Sequence, residues 1–187
     1  MADEGNQDGT TDEAGAAGGT AGQEASAPSI SVVGQYIKDL SFENPQAPAS
    51  FEKRREKQTP PLSVTVNVGA KPSGDKNIEV ELKIEARATT DEEVLFNLEL
   101  VYAGLFQIRN VPQEQLHPFV LIECPRLLFP FARQIVAETI SSGGFPPVML
   151  DPIDFTALYR QRMARQKEQQ EQVAGGNGPS SQPPQTN

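Results

Sequence analysis

The sequence predicts an α+β fold: a four-stranded antiparallel sheet followed by a long helix and a C-terminal helix. Two observations carry this. Apolar residues fall at every second position in three separate stretches, 62–68, 78–86 and 94–102. Beyond Gly104 they recur at helical spacing instead. Strands grouped ahead of helices, with no alternation between the two, are the pattern of an α+β domain.

The first strand is read from Ile30, Val32, Val33, Tyr36, Ile37 and Leu40, with Asp39 and Glu43 placed among them. The stretch Asn44-Pro45-Gln46-Ala47-Pro48 must leave the sheet, because two prolines remove ladder donors. Residues 49–61 are charged, end in Pro60-Pro61 and read as a long crossover. In the second strand Leu62, Val64, Val66 and Val68 alternate with Ser63, Thr65 and Asn67. Lys71-Pro72-Ser73-Gly74-Asp75 is a turn cluster. In the third, Ile78, Val80, Leu82, Ile84 and Ala86 alternate with Glu79, Glu81, Lys83 and Glu85. A turn at Thr89-Thr90-Asp91-Glu92 leads to the fourth, with Val94, Phe96, Leu98, Leu100 and Tyr102 on one face. Leu95, Asn97, Glu99 and Val101 occupy its other face. Such alternation buries one face of an antiparallel sheet and wets the other. The partly apolar second face of the fourth strand points to a contact with something else.

Val111-Pro112-Gln113-Glu114 fits a short helical turn. The long helix is read from Cys124, Leu127, Leu128, Phe131, Ile135 and Thr139, a stripe widened by Ala132, Val136 and Ile140. Pro125 suits a first helical position, whereas Pro130 predicts a kink or a late start. Ser141-Ser142-Gly143-Gly144 stops the helix, and Phe145–Leu150 is an apolar loop that must lie on something. The last helix is expected to begin with Asp151 as N-cap and Pro152 at its first position, and to carry Phe155, Leu158, Tyr159 and Met163 as its apolar stripe. The stripe over 124–140 is wider than one face of a small sheet needs. A symmetric homo-oligomer would bury the remainder.

Composition sets the domain limits and excludes several functions. Among 187 residues, 16 are Lys or Arg and 25 are Asp or Glu, a net charge of −9. Residues 1–28 hold six of the acids, no base and, besides Met1, only Ala and Pro as apolar residues other than Gly. That is too little apolar area to offset chain entropy, so 1–28 is read as a disordered acidic arm. The polar segment 166–187 is read as a flexible tail, leaving 29–165 as the folded domain. A binder of nucleic acid needs a basic surface, and there is none. One Cys forms no disulfide within the chain, and one His with one Cys cannot supply a four-ligand zinc site. No apolar run approaches the ~18 residues of a membrane span, and no basic-then-apolar leader opens the chain. A cytoplasmic location is expected.

No catalytic apparatus is legible. His117 and Cys124 are seven residues apart, but nothing else in the sequence marks them as a nucleophile and its base. Neither G-x-x-x-x-G-K-[ST] nor G-x-G-x-x-G occurs, so no nucleotide cofactor is expected. No metal and no other cofactor are expected either. Asp91-Glu92-Glu93 reads as a solvated turn. Surfaces remain. Asp39, Glu43 and Glu99 form a negative patch if they share an outer sheet face, or are simply solvated. Phe42, Phe129, Phe145, Phe155 and Tyr159 are core or groove on spacing alone.

Four segments resemble one known family. Tyr36-Ile37-Lys38-Asp39-Leu40-Ser41-Phe42-Glu43-Asn44-Pro45 with Ala47-Pro48 is similar to the first-strand signature of the SecB export chaperones. Glu123-Cys124-Pro125-Arg126-Leu127-Leu128-Phe129-Pro130-Phe131-Ala132-Arg133 resembles their long-helix signature. Gly143-Gly144-Phe145-Pro146-Pro147 and Leu150-Asp151-Pro152-Ile153-Asp154-Phe155 complete it, so the likeness runs over about 30–165.

The resemblance implies a non-enzymatic, ATP-independent cytoplasmic chaperone. It would be a dimer-of-dimers tetramer that holds preproteins unfolded and passes them to the SecA translocation ATPase. It implies that Asp39, Glu43 and Glu99 bind SecA, with Asn97 where well-known members carry an apolar Leu. It implies a client groove walled by Phe42, Phe129, Phe145, Val148, Leu150, Phe155, Leu158 and Tyr159. Leu98, Leu100 and Tyr102 match positions whose substitution disturbs assembly, and Leu127, Phe131 and Ile135 would lie in the tetramer interface. An oligomeric adaptor for one folded partner, and a SecB-like chaperone serving a toxin–antitoxin system, are the alternatives.

Overall fold

The computed structural model describes residues 27–49, 61–90 and 93–175. Most of the acidic arm, the crossover from residue 50 to 60 and the end of the tail lie outside the described residues. Four strands, β1 (Ser29–Glu43), β2 (Leu62–Ser73), β3 (Asn77–Thr89) and β4 (Val94–Arg109), precede two helices, α1 (Gln113–Ser142) and α2 (Phe155–Gly175). All neighbouring strands are antiparallel, in the order β1-β4-β3-β2. The chain leaves one edge of the sheet after β1, crosses to the other edge for β2 and returns by two hairpins.

The core lies between one face of the sheet and α1. Val80, Leu82, Ile84 and Ala86 on β3, and Leu98, Leu100 and Phe106 on β4, are fully buried on that face. Leu121, Cys124, Leu128, Val136 and Ile140 of α1 close it from above. The period-two apolar pattern thus becomes a covered face, while Glu81, Lys83 and Glu85 stay at the wet one.

Two sequence expectations for the helices are corrected. The long helix does not start late at Pro130: α1 is continuous from Gln113 and contains Pro118, Pro125 and Pro130. An interior proline costs about 3 kcal/mol, and a buried Leu, Ile or Phe returns about 1.5–3 kcal/mol. Val120, Leu121, Leu128, Phe129, Val136 and Ile140 are all buried, so packing on the sheet overrides the local penalty. What reads as a short turn at 111–114 is the start of this helix, entered from β4 through Asn110 in a left-handed conformation (φ 59°) that Asn tolerates better than most residues.

The second correction concerns the start of α2. The capping residue is Asp154, not Asp151. Its Oδ1 accepts the amides of Thr156 at 2.9 Å and Ala157 at 3.0 Å, and its carbonyl accepts Leu158 N–H at 3.0 Å. Both aspartates are good N-caps by type, but Pro152 lies ahead of the helix and not at its first position. At the other end, α2 runs to Gly175.

The stop of α1 is local chemistry. Phe145 N–H donates to Ile140 O at 3.1 Å and Gly144 N–H to Ser141 O at 2.9 Å, with Gly144 at φ 82°. This is a Schellman closure, which needs a residue without Cβ at the left-handed position. It turns Phe145 back onto the core.

Candidate functional site

The register of β1 on β4 gathers the acids on one face. Glu43 pairs with Asn97, Ser41 with Glu99 and Asp39 with Val101. All six belong to the face opposite α1. Glu99 is therefore diagonal to both Asp39 and Glu43, at roughly 7–8 Å for such positions. Those separations fall inside the Debye length of ~10 Å at 0.1 M salt, so the three carboxylates act on an approaching cation together. Lys83 Nζ approaches Glu99 at 3.5 Å but sits closer to Glu85, at 2.7 Å, and Arg87 is next to Asn97 across the ladder. Val101 lies between Asp39 and Lys83, while Leu95 packs against the core at the strand end.

A second cluster on the same wet face is absent from the sequence reading. Lys38 of β1 and Lys71 of β2 both reach the carboxylates of Glu79 and Glu81 on β3. Tyr36 donates to Glu79 Oε1 at 2.8 Å. Hydrogen bonds from Lys38, then Tyr36, then Lys71 hold the Glu79 carboxyl down at about 2 against the cost of burial. Lys71 opposite Glu79 could have been found from the β2–β3 register. The reach of Tyr36 and Lys38 across β4 could not.

The aromatic and apolar residues implied for the client groove divide into two groups. Phe42, half-buried, stacks on Phe96 with ring centroids 5.8 Å apart, and Phe145 meets Phe96 edge-on at 4.8 Å. This cluster sits at the C-terminal end of α1, with Leu150 buried and Val148 half-buried against the core. Phe155, Leu158 and Tyr159 lie instead in a cleft of about 610 Å³ between α2 and β2, an edge strand among the described residues, with Val64, Val66, Val68 and Leu121. Arg162 of α2 donates there to the Val68 carbonyl. Phe129 joins this second group through an edge contact with Phe155 at 6.0 Å. Phe129, Phe145, Leu150 and Phe155 are buried within the protomer, so Phe42, Val148, Leu158 and Tyr159 are the members that reach the surface.

The residues implied for assembly also separate. Leu98, Leu100 and Tyr102 are buried in the helix-covered face, which places them in the protomer core. Leu127 and Phe131 on the outer side of α1 are 42% and 49% exposed, with Ile135 half-buried beside them. On β1, Val33, Tyr36 and Ile37 are exposed as well.

His117 and Cys124 do not meet. His117 Nδ1 lies 3.2 Å from the Tyr159 hydroxyl. Seven residues along α1 put Cys124 ~10 Å further on, fully buried, where desolvation and then Glu123 push its thiol up to about 12. Among the described residues no group of three or more His, Cys, Asp or Glu is placed to hold a metal, and no helix is long and apolar enough to cross a membrane.

Comparison with known proteins gives this surface a context. The chain matches the family model described as preprotein translocase subunit SecB over residues 23–166. It is 58% identical over 150 residues to the protein-export protein SecB of Afipia carboxidovorans, covering 80% of this chain and 92% of that protein. It is 54% identical over 154 residues to the SecB of Nitrobacter winogradskyi, covering 82% and 96%. A solved SecB-like chaperone of Mycobacterium tuberculosis, in complex with an antitoxin peptide, has the same fold: the TM-score is 0.51 at 17% identity, covering 66% of this chain and 90% of that one. Sheet, long helix and C-terminal helix in this order, with a family match over most of the folded residues, place the chain in the SecB family.

Proposed function

We propose that the chain is a protein-export chaperone that holds preproteins unfolded in the cytoplasm and delivers them to SecA as a dimer-of-dimers tetramer. The observation that carries this reading is the family match over 23–166, whose relatives are protein-export proteins at 58% and 54% identity. The surfaces have the chemistry the task needs. An unfolded client exposes apolar side chains and unpaired backbone groups. The α2–β2 cleft offers Leu158, Tyr159 and Val66 beside β2, an edge strand among the described residues, so contact area and strand-type hydrogen bonding are available together without sequence reading. Four protomers place several weak sites along one chain, and avidity then adds ~10²–10⁴ over a single site. Binding only the unfolded form shifts a client's equilibrium by mass action, with no nucleotide. The Asp39, Glu43 and Glu99 face suits a basic segment of SecA, and Leu127, Phe131 and Ile135 suit the contact between dimers.

The test is refolding of a slow-folding precursor diluted from denaturant, with no nucleotide. Refolding is suppressed near one tetramer per client. SecA binding weakens in Asp39→Asn, Glu43→Gln and Glu99→Gln by up to about fivefold each, since exposed charge pairs are worth ~0.2–1 kcal/mol, and weakens as salt rises. Refolding unaffected at micromolar tetramer overturns the chaperone reading.

A further inference from the structure

Strand phase decides where Asp39 and Glu43 point. Ile37 lies opposite Tyr102, on the helix-covered face, and Asp39 lies opposite Val101, on the wet face, so Lys38 is an extra residue in the ladder. In an unbroken strand successive side chains alternate strictly. Without the extra residue, Asp39, Ser41 and Glu43 turn under α1, and Leu40 and Phe42 turn to water. The bulge therefore creates the acidic face.

Beyond the bulge, burial fixes this phase at Phe42, which stacks on Phe96 and packs against the core, but around the bulge itself it does little. β1 is an edge strand, and Val32, Val33, Ile37 and Leu40 are all 39% exposed or more. Weakly buried strands are weakly registered. What holds the bulge itself, between Ile37 and Asp39, is polar. Lys38 Nζ is 2.7 Å from Glu79 Oε1 and 2.5 Å from Glu81 Oε1, both two strands away on β3. Lys71 fixes the same two carboxylates from the far side, at 3.0 and 3.1 Å. Ala103 lies between Tyr36 and Glu81 in the ladder, and its methyl group is small enough for side chains to pass over. It is fully buried although it belongs to the wet face. Glu79 is itself only 8% exposed.

We propose that Lys38, through Glu79 and Glu81, is a positioning residue that fixes the bulge and so, together with the packing of Phe42, holds Asp39, Ser41 and Glu43 on the same face as Glu99. The proposal rests on the docking role of that face put forward above. It makes a prediction of unusual sign. Removing a cation from the wet face that carries the three carboxylates tightens the grip on a basic partner if charge alone matters, whereas loss of the bulge loosens it.

The experiment measures SecA affinity at 0.1 M salt for the full chain, Lys38→Ala, Lys38→Arg, Glu79→Gln and the combined Asp39→Asn, Glu43→Gln, Glu99→Gln variant. Amide hydrogen exchange across 29–43 is followed in parallel. Lys38→Ala and Glu79→Gln bind about fivefold more weakly, Lys38→Arg binds within about twofold of the unsubstituted chain, and exchange quickens around 37–43 in the first two only. If Lys38→Ala binds as well or better while the combined acid variant loses binding, the positioning role is wrong and the docking face stands. If the combined variant binds normally, the docking face is wrong and the proposal goes with it. Unchanged exchange in Lys38→Ala also overturns the proposal.

Discussion

Gly104 lies on β4 where α1 crosses the sheet. A Cβ built there meets Phe106 Cε2 at 2.6 Å and Leu128 Cδ2 at 2.7 Å. Both neighbours are fully buried, so neither has space to retreat. For Gly104→Ala two effects oppose each other. Alanine restricts the unfolded chain and on that account stabilises by about 0.4–1 kcal/mol. Overpacking a filled core costs about 1–3 kcal/mol. Contacts this short at two rigid groups make the second effect larger, with a net loss of about 1–2 kcal/mol. Gly69 on β2 supplies the control, since a Cβ there meets no heavy atom within 4 Å. Gly69→Ala keeps the unfolded-state gain and is stabilised by about 0.4–1 kcal/mol. Urea unfolding at one fixed protomer concentration reads both, because oligomer stability depends on concentration. The midpoint falls for Gly104→Ala and holds or rises for Gly69→Ala, with slopes unchanged. A Gly104→Ala midpoint at or above that of the unsubstituted chain would falsify the reasoning and show that α1 shifts freely over the sheet.

Cys124 makes a prediction about alkaline pH. Its thiol is raised in the fold from the ordinary 9.0 to about 12, so its contribution is complete below pH 9 and is lost as pH rises towards 12. The stability advantage over Cys124→Ala shrinks by about 1.4 kcal/mol per pH unit in that window, and an advantage that stays constant contradicts it. The native thiol also resists alkylation at pH 8 until denaturant is added. Leu127→Glu with Phe131→Glu leaves the protomer folded, because both side chains are about half exposed in it. If the chain forms the proposed tetramer through these residues, sedimentation then shows a smaller species with unchanged far-UV circular dichroism, and an unchanged sedimentation coefficient overturns that assignment.

Much of the fold was legible because it follows from short-range regularity. The alternation in 62–68, 78–86 and 94–102 names the covered face of β2, β3 and β4 without reference to any partner. Gly143-Gly144-Phe145 marks a helix stop whose hydrogen bonds are all local. The first strand was less transparent. Its inward residues are Ile30 and Val32, then Gln35 and Ile37, then Leu40 and Phe42. The two changes of parity are visible in the sequence, but pairing with β4 is needed to show that Val33 and Lys38 are the extra residues. The start of α2 was ambiguous for a similar reason. Two aspartates lie three apart, and only the chain path shows which one meets free amides.

The sequence by itself determined the class of fold and the covered faces of β2, β3 and β4, because these depend on composition and on neighbours within a few positions. The tertiary structure decided everything that depends on distant residues meeting. It carried α1 through three prolines, because burial against the sheet outweighs the lost backbone bonds. It divided the apolar residues implied for one groove between the end of α1 and the α2–β2 cleft. It also brought Lys38 to carboxylates 41 and 43 residues away. A polar side chain carries no periodic signature of its partner, and only the sheet order makes them neighbours.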